Sequence, residues 1–74
     1  MSGAEVIAAL NSFGFAITSQ RGSHVKMRRV ALTGENQTLT IPNHREIDAG
    51  TLRAIIRQAF RYIPLEQMRP YFYC

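Results

Sequence analysis

Residues 21–29 read RGSHVKMRR, and this stretch decides how the middle of the chain folds. Its two apolar residues, Val25 and Met27, alternate with a polar set formed by His24, Lys26 and Arg28. Because successive side chains of a β-strand point to opposite faces, the alternation predicts a strand with one apolar and one basic face. Gly22 supplies the backbone freedom for a turn just before it. The predicted strand therefore starts near Ser23.

An amphipathic helix and a first strand are predicted ahead of this stretch. Ser2 and Glu5 have the spacing of a capping box, in which each side chain bonds the backbone of the other residue. Apolar residues then recur at helical spacing: Val6, Ile7, Leu10 and Phe13. Gly14 suits the end of the helix, and the alternation that begins with Phe15 and Ile17 predicts a strand directly after it.

The alternation slips beyond the quoted stretch. Val30 and Leu32 have the opposite parity to the apolar residues before them. The slip predicts a bulge near residues 28–29 or an earlier end of the strand. A turn at residues 34–36 then leads into a third strand over residues 38–41, which a proline closes.

A second amphipathic helix follows a polar loop. Asp48 is its predicted N-cap, and the helix runs from about Ala49 to Phe60. Its apolar face consists of Leu52, Ile55, Ile56 and Ala59. Three arginines spaced four residues apart form a basic stripe on the opposite face: Arg53, Arg57 and Arg61. Pro64 begins a short last helix whose apolar residues are Leu65, Met68 and Phe72.

The predicted fold class is α+β, with the order α-β-β-β-α and a short C-terminal helix, in a single domain of residues 1–74. Two amphipathic helices can cover only one face of a small three-stranded antiparallel sheet. The strand residues expected to face them are Phe15, Ile17, Val25, Met27, Leu39 and Ile41. The other face stays open to solvent, and His24 lies on it with Lys26 and Arg28.

The composition restricts the classes of partner and location. The 74 residues carry a formal charge of +4, which favours an anionic partner such as nucleic acid, an acidic protein or a membrane surface. Cys74 is the one cysteine, so no internal disulfide can form. The apolar run at residues 6–10 is too short for a secretion signal or a membrane span. We therefore expect a soluble cytoplasmic protein without a membrane partner.

His24 is the candidate catalytic residue. Histidine side chains exchange protons near neutral pH, as general acid–base catalysis requires, and Lys26 and Arg28 could hold a phosphate beside the ring. The alternative is an exposed strand histidine without a chemical role. His44 is the other imidazole, but two histidines make an incomplete ligand set, so we expect no metal and no cofactor. Ser23 and His24 should point to opposite faces, which disfavours a Ser–His–carboxylate triad.

Three stretches of the chain match the signature of a known family. They are Gly14-Phe15 followed by Gln20-Arg21-Gly22-Ser23-His24, then Leu39-Thr40-Ile41-Pro42-Asn43-His44, then Gly50-Thr51-Leu52-Arg53-Ala54-Ile55-Ile56-Arg57-Gln58-Ala59. In this order they resemble the HicA toxins, also called YcfA-like, which are small bacterial ribonuclease toxins with a fold like double-stranded RNA-binding domains. The likeness runs from about residue 2 to residue 59. Residues 60–74 diverge, since Phe60 stands where the family's pattern has glycine.

The resemblance implies that His24 is the single catalytic histidine of a toxin that cleaves mRNA without a metal and thereby blocks translation. It also implies a HicB-type antitoxin that covers the active site. The residues expected to contact RNA are Gly22, Ser23, Lys26, Arg28 and Arg29, and His44 is a candidate for the second acid. Two other functions stay open. One is a non-catalytic RNA-binding module on the same frame. The other is a basic protein-interaction domain that docks an acidic partner through the arginine stripe and the aromatic tail at residues 71–73.

Overall fold

Six elements follow one another along the chain of the computed structural model, which describes residues 1–72; Tyr73 and Cys74 lie outside the described residues. The elements are α1 (Gly3–Ser12), β1 (Ala16–Arg21), β2 (His24–Val30), β3 (Asn36–Pro42), α2 (Ala49–Ala59) and α3 (Leu65–Phe72). The strands form one antiparallel sheet in the order β1-β2-β3. The predicted α+β class and α-β-β-β-α order are confirmed, and both are consistent with a fold like double-stranded RNA-binding domains.

Both long helices begin at their predicted caps. The Ser2 hydroxyl accepts a hydrogen bond from the Glu5 N–H at 3.1 Å, and the Glu5 carboxylate accepts one from the Ser2 N–H at 2.8 Å. The bond from the Ser2 N–H favours the ionised carboxylate and lowers the pKa of Glu5. At α2, Asp48 accepts from the Thr51 hydroxyl at 2.7 Å and from the Thr51 N–H at 3.0 Å, which lowers the pKa of Asp48. Each cap satisfies backbone donors that the helix itself leaves unpaired.

The core lies between one face of the sheet and the helices, and both α1 and α2 contact β3. Its largest fully buried side chains come from the sheet and from the helical layer: Val6, Leu10, Phe15, Val25, Met27, Leu39, Ile41, Ile63 and Met68. The predicted core positions on β2 and β3 are confirmed. Ile47 also belongs to the core, although the sequence pattern placed it in a polar loop. Its N–H donates to the Met1 carbonyl oxygen at 2.9 Å, which joins this loop to the chain ahead of α1.

Ile17 is not a core residue, contrary to the prediction. It pairs with buried Met27 and therefore shares the helix-facing side of the sheet, yet 53% of its surface is exposed. Every residue of β1 is exposed, because β1 is an edge strand and the helices pack over the opposite edge. A bulge between Ile17 and Ser19 shifts the pairing with β2. The bulge is thus on β1.

The predicted irregularity in β2 is absent from the described pairing. β2 pairs with β3 in one continuous register from His24 opposite Pro42 to Val30 opposite Asn36. The parity slip has a different cause: Val30 and Leu32 are both exposed and take no part in the core. The change of parity therefore requires neither a bulge in β2 nor an earlier end of the strand.

The C-terminal segment completes the core on the side of α1. Ile63 and Met68 are buried, and the rings of Phe13 and Tyr71 meet edge to face with their centroids 5.1 Å apart. Such aromatic pairs stabilise a fold by about 0.5–1.5 kcal/mol beyond the area that they bury. The divergent tail therefore contributes to the packing of the domain through residue 72.

Candidate nucleic-acid interface

One face of the sheet carries no covering element among the described residues and is lined by polar side chains. Residues that are Cα partners in an antiparallel sheet share a face, so the pairing defines it. Its polar residues are Ser19 and Arg21 from β1, His24, Lys26 and Arg28 from β2, and Thr38 and Thr40 from β3, and it also carries Ala16 and Pro42. We call this set the open face. The sequence prediction that His24, Lys26 and Arg28 share an exposed face is confirmed by their burial pattern, in which all three are exposed.

A two-residue turn brings β1 back as β2 beside His24. Arg21 pairs with His24, and only Gly22 and Ser23 lie between them. Gly22 has a φ of +58°, a left-handed conformation that favours glycine and matches the twist of a short hairpin loop. Space around Gly22 is free, since a Cβ there would meet no atom within 4 Å. The glycine is needed for its backbone conformation, and its predicted role in contacting RNA stays a prediction.

His24 opens onto a depression in the open face. The depression has a volume of about 480 Å³ and is lined by Ser19, Gln20, Arg21, His24, Lys26 and Thr40. Among residues 1–72, the side chains of Arg21, His24, Lys26 and Arg28 make no hydrogen bond to another group. None of these four side chains forms an ion pair with a carboxylate, since the one salt bridge within residues 1–72 joins the N-terminal amine to Glu46. The cations are thus available to an anionic ligand.

Arg29, expected from the sequence to contact RNA, does not lie with these cations, and that contact stays a prediction. It has the parity of Val25 and Met27, so its side chain lies on the helix side of the sheet. Its guanidinium donates three hydrogen bonds: Nε to Gln37 Oε1 at 2.8 Å, Nη1 to the Phe13 carbonyl at 2.9 Å and Nη2 to the Tyr62 carbonyl at 2.9 Å. It also lies over the Phe15 ring, 4.9 Å from the centroid. Arg29 therefore joins the end of α1 to the segment after α2.

Ser23 and His44 form a second contact at the edge of the site. Ser23 Oγ lies 3.2 Å from His44 Nε2, and the Ser23 carbonyl accepts from the Asn43 N–H at 2.6 Å. The Ser23 hydroxyl is thus directed to His44 and away from the open face that carries His24. This geometry agrees with the expectation that Ser23 and His24 diverge. His44 does not line the depression around His24.

Metal-ligating residues do not cluster in the described part of the chain. Within residues 1–72, no group of three or more histidine, cysteine, aspartate or glutamate side chains is close enough to hold a metal ion. In the same range, no helix is both long and apolar enough to cross a membrane.

A second exposed feature lies on the other side of the molecule. Arg53, Arg57, Ile56, Phe60 and Leu65 line a groove of about 350 Å³ between α2 and α3. Phe60 exposes 53% of its surface there. The arginine stripe of α2 thus borders an apolar floor, an arrangement that suits a protein partner better than a phosphate backbone alone.

Four lining residues of the depression were missed by the sequence reasoning: Ser19, Gln20, Arg21 and Thr40. Arg21 was assigned only to the turn, although its spacing of three from His24 across Gly22 is the signature of a two-residue hairpin. That signal could have identified Arg21 as the partner of His24. The positions of Thr40 and Ser19 beside His24 depend on the register of the sheet and on the bulge in β1. No local sequence pattern predicts either of these.

Comparison with known proteins gives a family match. The family described as "HicA toxin of bacterial toxin-antitoxin" matches residues 3–59, which is more than half of the chain. No curated protein and no solved structure matches the chain. The matched range covers α1, the whole sheet and α2, and therefore includes every residue of the open face.

Proposed function

The chain belongs to the HicA toxin family, the toxins of bacterial toxin–antitoxin systems, and we propose that it is a metal-independent endoribonuclease that cleaves mRNA with His24 as the general base. Cleavage of mRNA by such a toxin blocks translation. The observation that carries the proposal is the exposed His24 at the start of the central strand of an uncovered basic face, on the same face as Lys26 and opposite Arg21. An anionic substrate can reach that imidazole without displacing any element formed by residues 1–72.

The proposed reaction uses the nucleophile that RNA itself carries. Neutral His24 accepts the proton of the 2′-hydroxyl, whose oxygen forms a bond to the adjacent phosphorus. The bond from phosphorus to the 5′-oxygen breaks, and that oxygen takes a proton from water or from a second acid. Cations of the open face stabilise the charge that grows on the phosphoryl oxygens. The products are a 2′,3′-cyclic phosphate and a 5′-hydroxyl.

The site is small, and its expected rate enhancement is modest. A positioned acid or base contributes about 10²–10⁴-fold, and each donor to the phosphoryl oxygens adds a comparable factor. His44, the candidate for the second acid, has its Nε2 3.2 Å from the Ser23 hydroxyl. For His44 to act as that acid, the bound RNA would have to extend past the end of β3.

The test is cleavage of a labelled RNA in the presence of EDTA. The natural protein should cleave, and the His24→Ala variant should bind the same RNA without cleaving it. End-group analysis should find a cyclic phosphate, and DNA of the same sequence should survive because it lacks the 2′-hydroxyl. Cleavage of DNA, or undiminished cleavage by the His24→Ala variant, would rule out the mechanism. Binding by both proteins with cleavage by neither would identify a non-catalytic RNA-binding module.

Members of the HicA family associate with HicB-type antitoxins, and we expect the antitoxin of this toxin to cover the open face. Such a partner would block access to His24 directly. The complex should then neither bind nor cleave RNA, and a Lys26→Glu change should weaken both the RNA and the antitoxin complex. RNA binding that persists in the purified complex would show that the antitoxin docks elsewhere.

The groove between α2 and α3 supports a second candidate, a binding surface for an acidic protein. Arg53 and Arg57 flank the exposed ring of Phe60 in this groove. A double Arg53→Glu and Arg57→Glu variant should lose such a partner and keep RNA cleavage. If this variant loses RNA binding instead, the arginine stripe belongs to the nucleic-acid interface.

A further inference from the structure

In the pairing of the sheet, the cation nearest to His24 is Arg21. The two residues are Cα partners across the β1–β2 hairpin, so their Cβ atoms lie about 4.5–5.5 Å apart on the same face of the sheet. Lys26 is two residues further along β2, roughly 7 Å away, and Arg28 is four residues away, roughly 13 Å, at the rise of a β-strand. The register thus ranks Arg21 first among the three cations of the open face.

The depression around His24 supports the same ranking. Arg21 and Lys26 line it together with His24, whereas Arg28 does not. Arg21 also has no competing partner: among residues 1–72 its side chain makes no hydrogen bond, and the one salt bridge there is formed by Glu46 and the N-terminal amine. A guanidinium without a partner, beside an accessible imidazole, is open to a phosphate.

The chemistry of phosphoryl transfer distinguishes arginine from lysine at this position. A guanidinium is planar and donates two parallel N–H bonds to two oxygens of one phosphate, whereas the lysine ammonium acts as a point charge. In the proposed cleavage the charge grows on the two non-bridging oxygens while the 2′-oxygen bonds to phosphorus. A bidentate donor directly opposite the base can stay hydrogen-bonded to both oxygens while their negative charge grows.

We propose that Arg21 is a catalytic residue that binds both non-bridging oxygens of the scissile phosphate while His24 removes the 2′-hydroxyl proton. This inference rests on the proposed function and assigns the stabilising role to a residue outside the set expected from the sequence. Arg21 donates hydrogen bonds only, and no proton leaves it. The electron pair from the P–O5′ bond stays on the leaving oxygen, which is protonated by water or a second acid.

The experiment compares Arg21→Ala, Arg21→Lys and Arg69→Ala with the natural protein on a labelled RNA. Arg69 is an exposed arginine of α3 and serves as the matched charge control. Loss of one donor to a developing oxyanion costs about 10²–10³ in kcat, so Arg21→Ala should lose that much with little change in KM. Arg21→Lys should recover only a small part of kcat, and Arg69→Ala should stay within about threefold of the natural rate.

Two further measurements separate the possible failures. The affinity for a 2′-O-methyl RNA, which cannot be cleaved, should be similar for the natural protein and Arg21→Ala, and the far-UV circular dichroism and melting temperature should be unchanged. If the natural protein cleaves and Arg21→Ala cleaves as fast, the role of Arg21 is refuted while the nuclease stands. A rise in KM at constant kcat, or full recovery by lysine, also refutes it. If the natural protein does not cleave RNA at all, both the proposed function and this inference are overturned.

Discussion

Replacing Arg29 by methionine should destabilise the fold strongly, whereas the same change at its neighbour Arg28 should not. Methionine keeps much of the aliphatic stem but removes the guanidinium. At position 29 the change deletes hydrogen bonds of 2.8, 2.9 and 2.9 Å and the contact of the cation with the Phe15 ring. At position 28 the guanidinium lies in solvent on the open face.

The magnitude follows from these contacts. A hydrogen bond to a charged group contributes about 1.5–3 kcal/mol when buried, and about 1 kcal/mol is reasonable for the half-buried Arg29. The cation above the aromatic ring adds roughly 0.5–1 kcal/mol. The loss is therefore about 3–4 kcal/mol, out of roughly 4–11 kcal/mol expected for a domain of this length. At about 4–8 °C per kcal/mol, the melting temperature should fall by at least 12 °C.

Urea and thermal unfolding, followed by far-UV circular dichroism, measure both variants against the natural protein. The free energy of unfolding of the Arg28→Met variant should stay within about 0.5 kcal/mol of that of the natural protein, as is usual for exposed substitutions. Its defect should be in RNA binding, where one lost phosphate contact lowers the salt dependence by about one unit. A difference below about 1 kcal/mol between the two variants would refute the stabilising role of the bonds that Arg29 makes to Gln37, Phe13 and Tyr62.

Three further changes test other parts of the fold. Gly3→Ala should cost about 1–3 kcal/mol in urea unfolding, because its Cβ would lie 2.5 Å from Asn43 Cα in the loop beneath α1. The control Gly50→Ala, in the first turn of α2, should be neutral or stabilising by up to about 1 kcal/mol. The pKa of Asp48 is lower in the folded state, so its cap contributes stability above the unfolded pKa, and this contribution is lost as pH falls through the folded pKa. The melting temperature of the natural protein should therefore fall relative to Asp48→Asn between about pH 5 and pH 2, since asparagine also caps but does not titrate; parallel curves would contradict this. Gly22→Ala should lower the free energy of unfolding by about 1–2 kcal/mol because of the left-handed φ at this position. It should also lower RNA cleavage further than this loss of stability explains. A variant with normal cleavage would show that the turn does not position the site.

Local sequence rules predicted the parts of this fold that depend on neighbours in the chain. The caps at Ser2 and Asp48 are formed within four residues, so their side-chain types were sufficient evidence. The exposed face of β2 was predicted for the same reason, since the alternation of its side chains is a property of the strand alone. The exposure of Ile17 could not be predicted, because it depends on which edge of the sheet the helices cover.

In the candidate site, too, the features that depend on local sequence were predicted and those that depend on the pairing of distant residues were not. His24 and Lys26 were identified from parity and residue type, and both line the depression. Arg21 lies opposite His24 because of the register of the hairpin, which side-chain types alone do not give. The contact between Ser23 and His44 joins residues 21 positions apart, so it depends on the fold of the whole sheet. Arg29 is a different case, since its parity with Met27 already indicated the helix side. The expectation of an RNA contact followed the run of basic residues and ignored that parity.

The adjacent arginines of β2 explain how so small a chain can hold both a core and a basic site. One step along a strand turns a side chain to the opposite face, so Arg28 adds charge to the open face while Arg29 bonds two backbone carbonyls on the other side. The Arg29 guanidinium stabilises the packing around this small core, because it links α1 to the segment after α2. The consequence for mutagenesis is direct. We expect a loss of RNA cleavage in a variant of Arg21 or Arg28 to leave the melting temperature unchanged and so to report on the open face. The same loss in a variant of Arg29 should accompany a lower melting temperature and so report on folding.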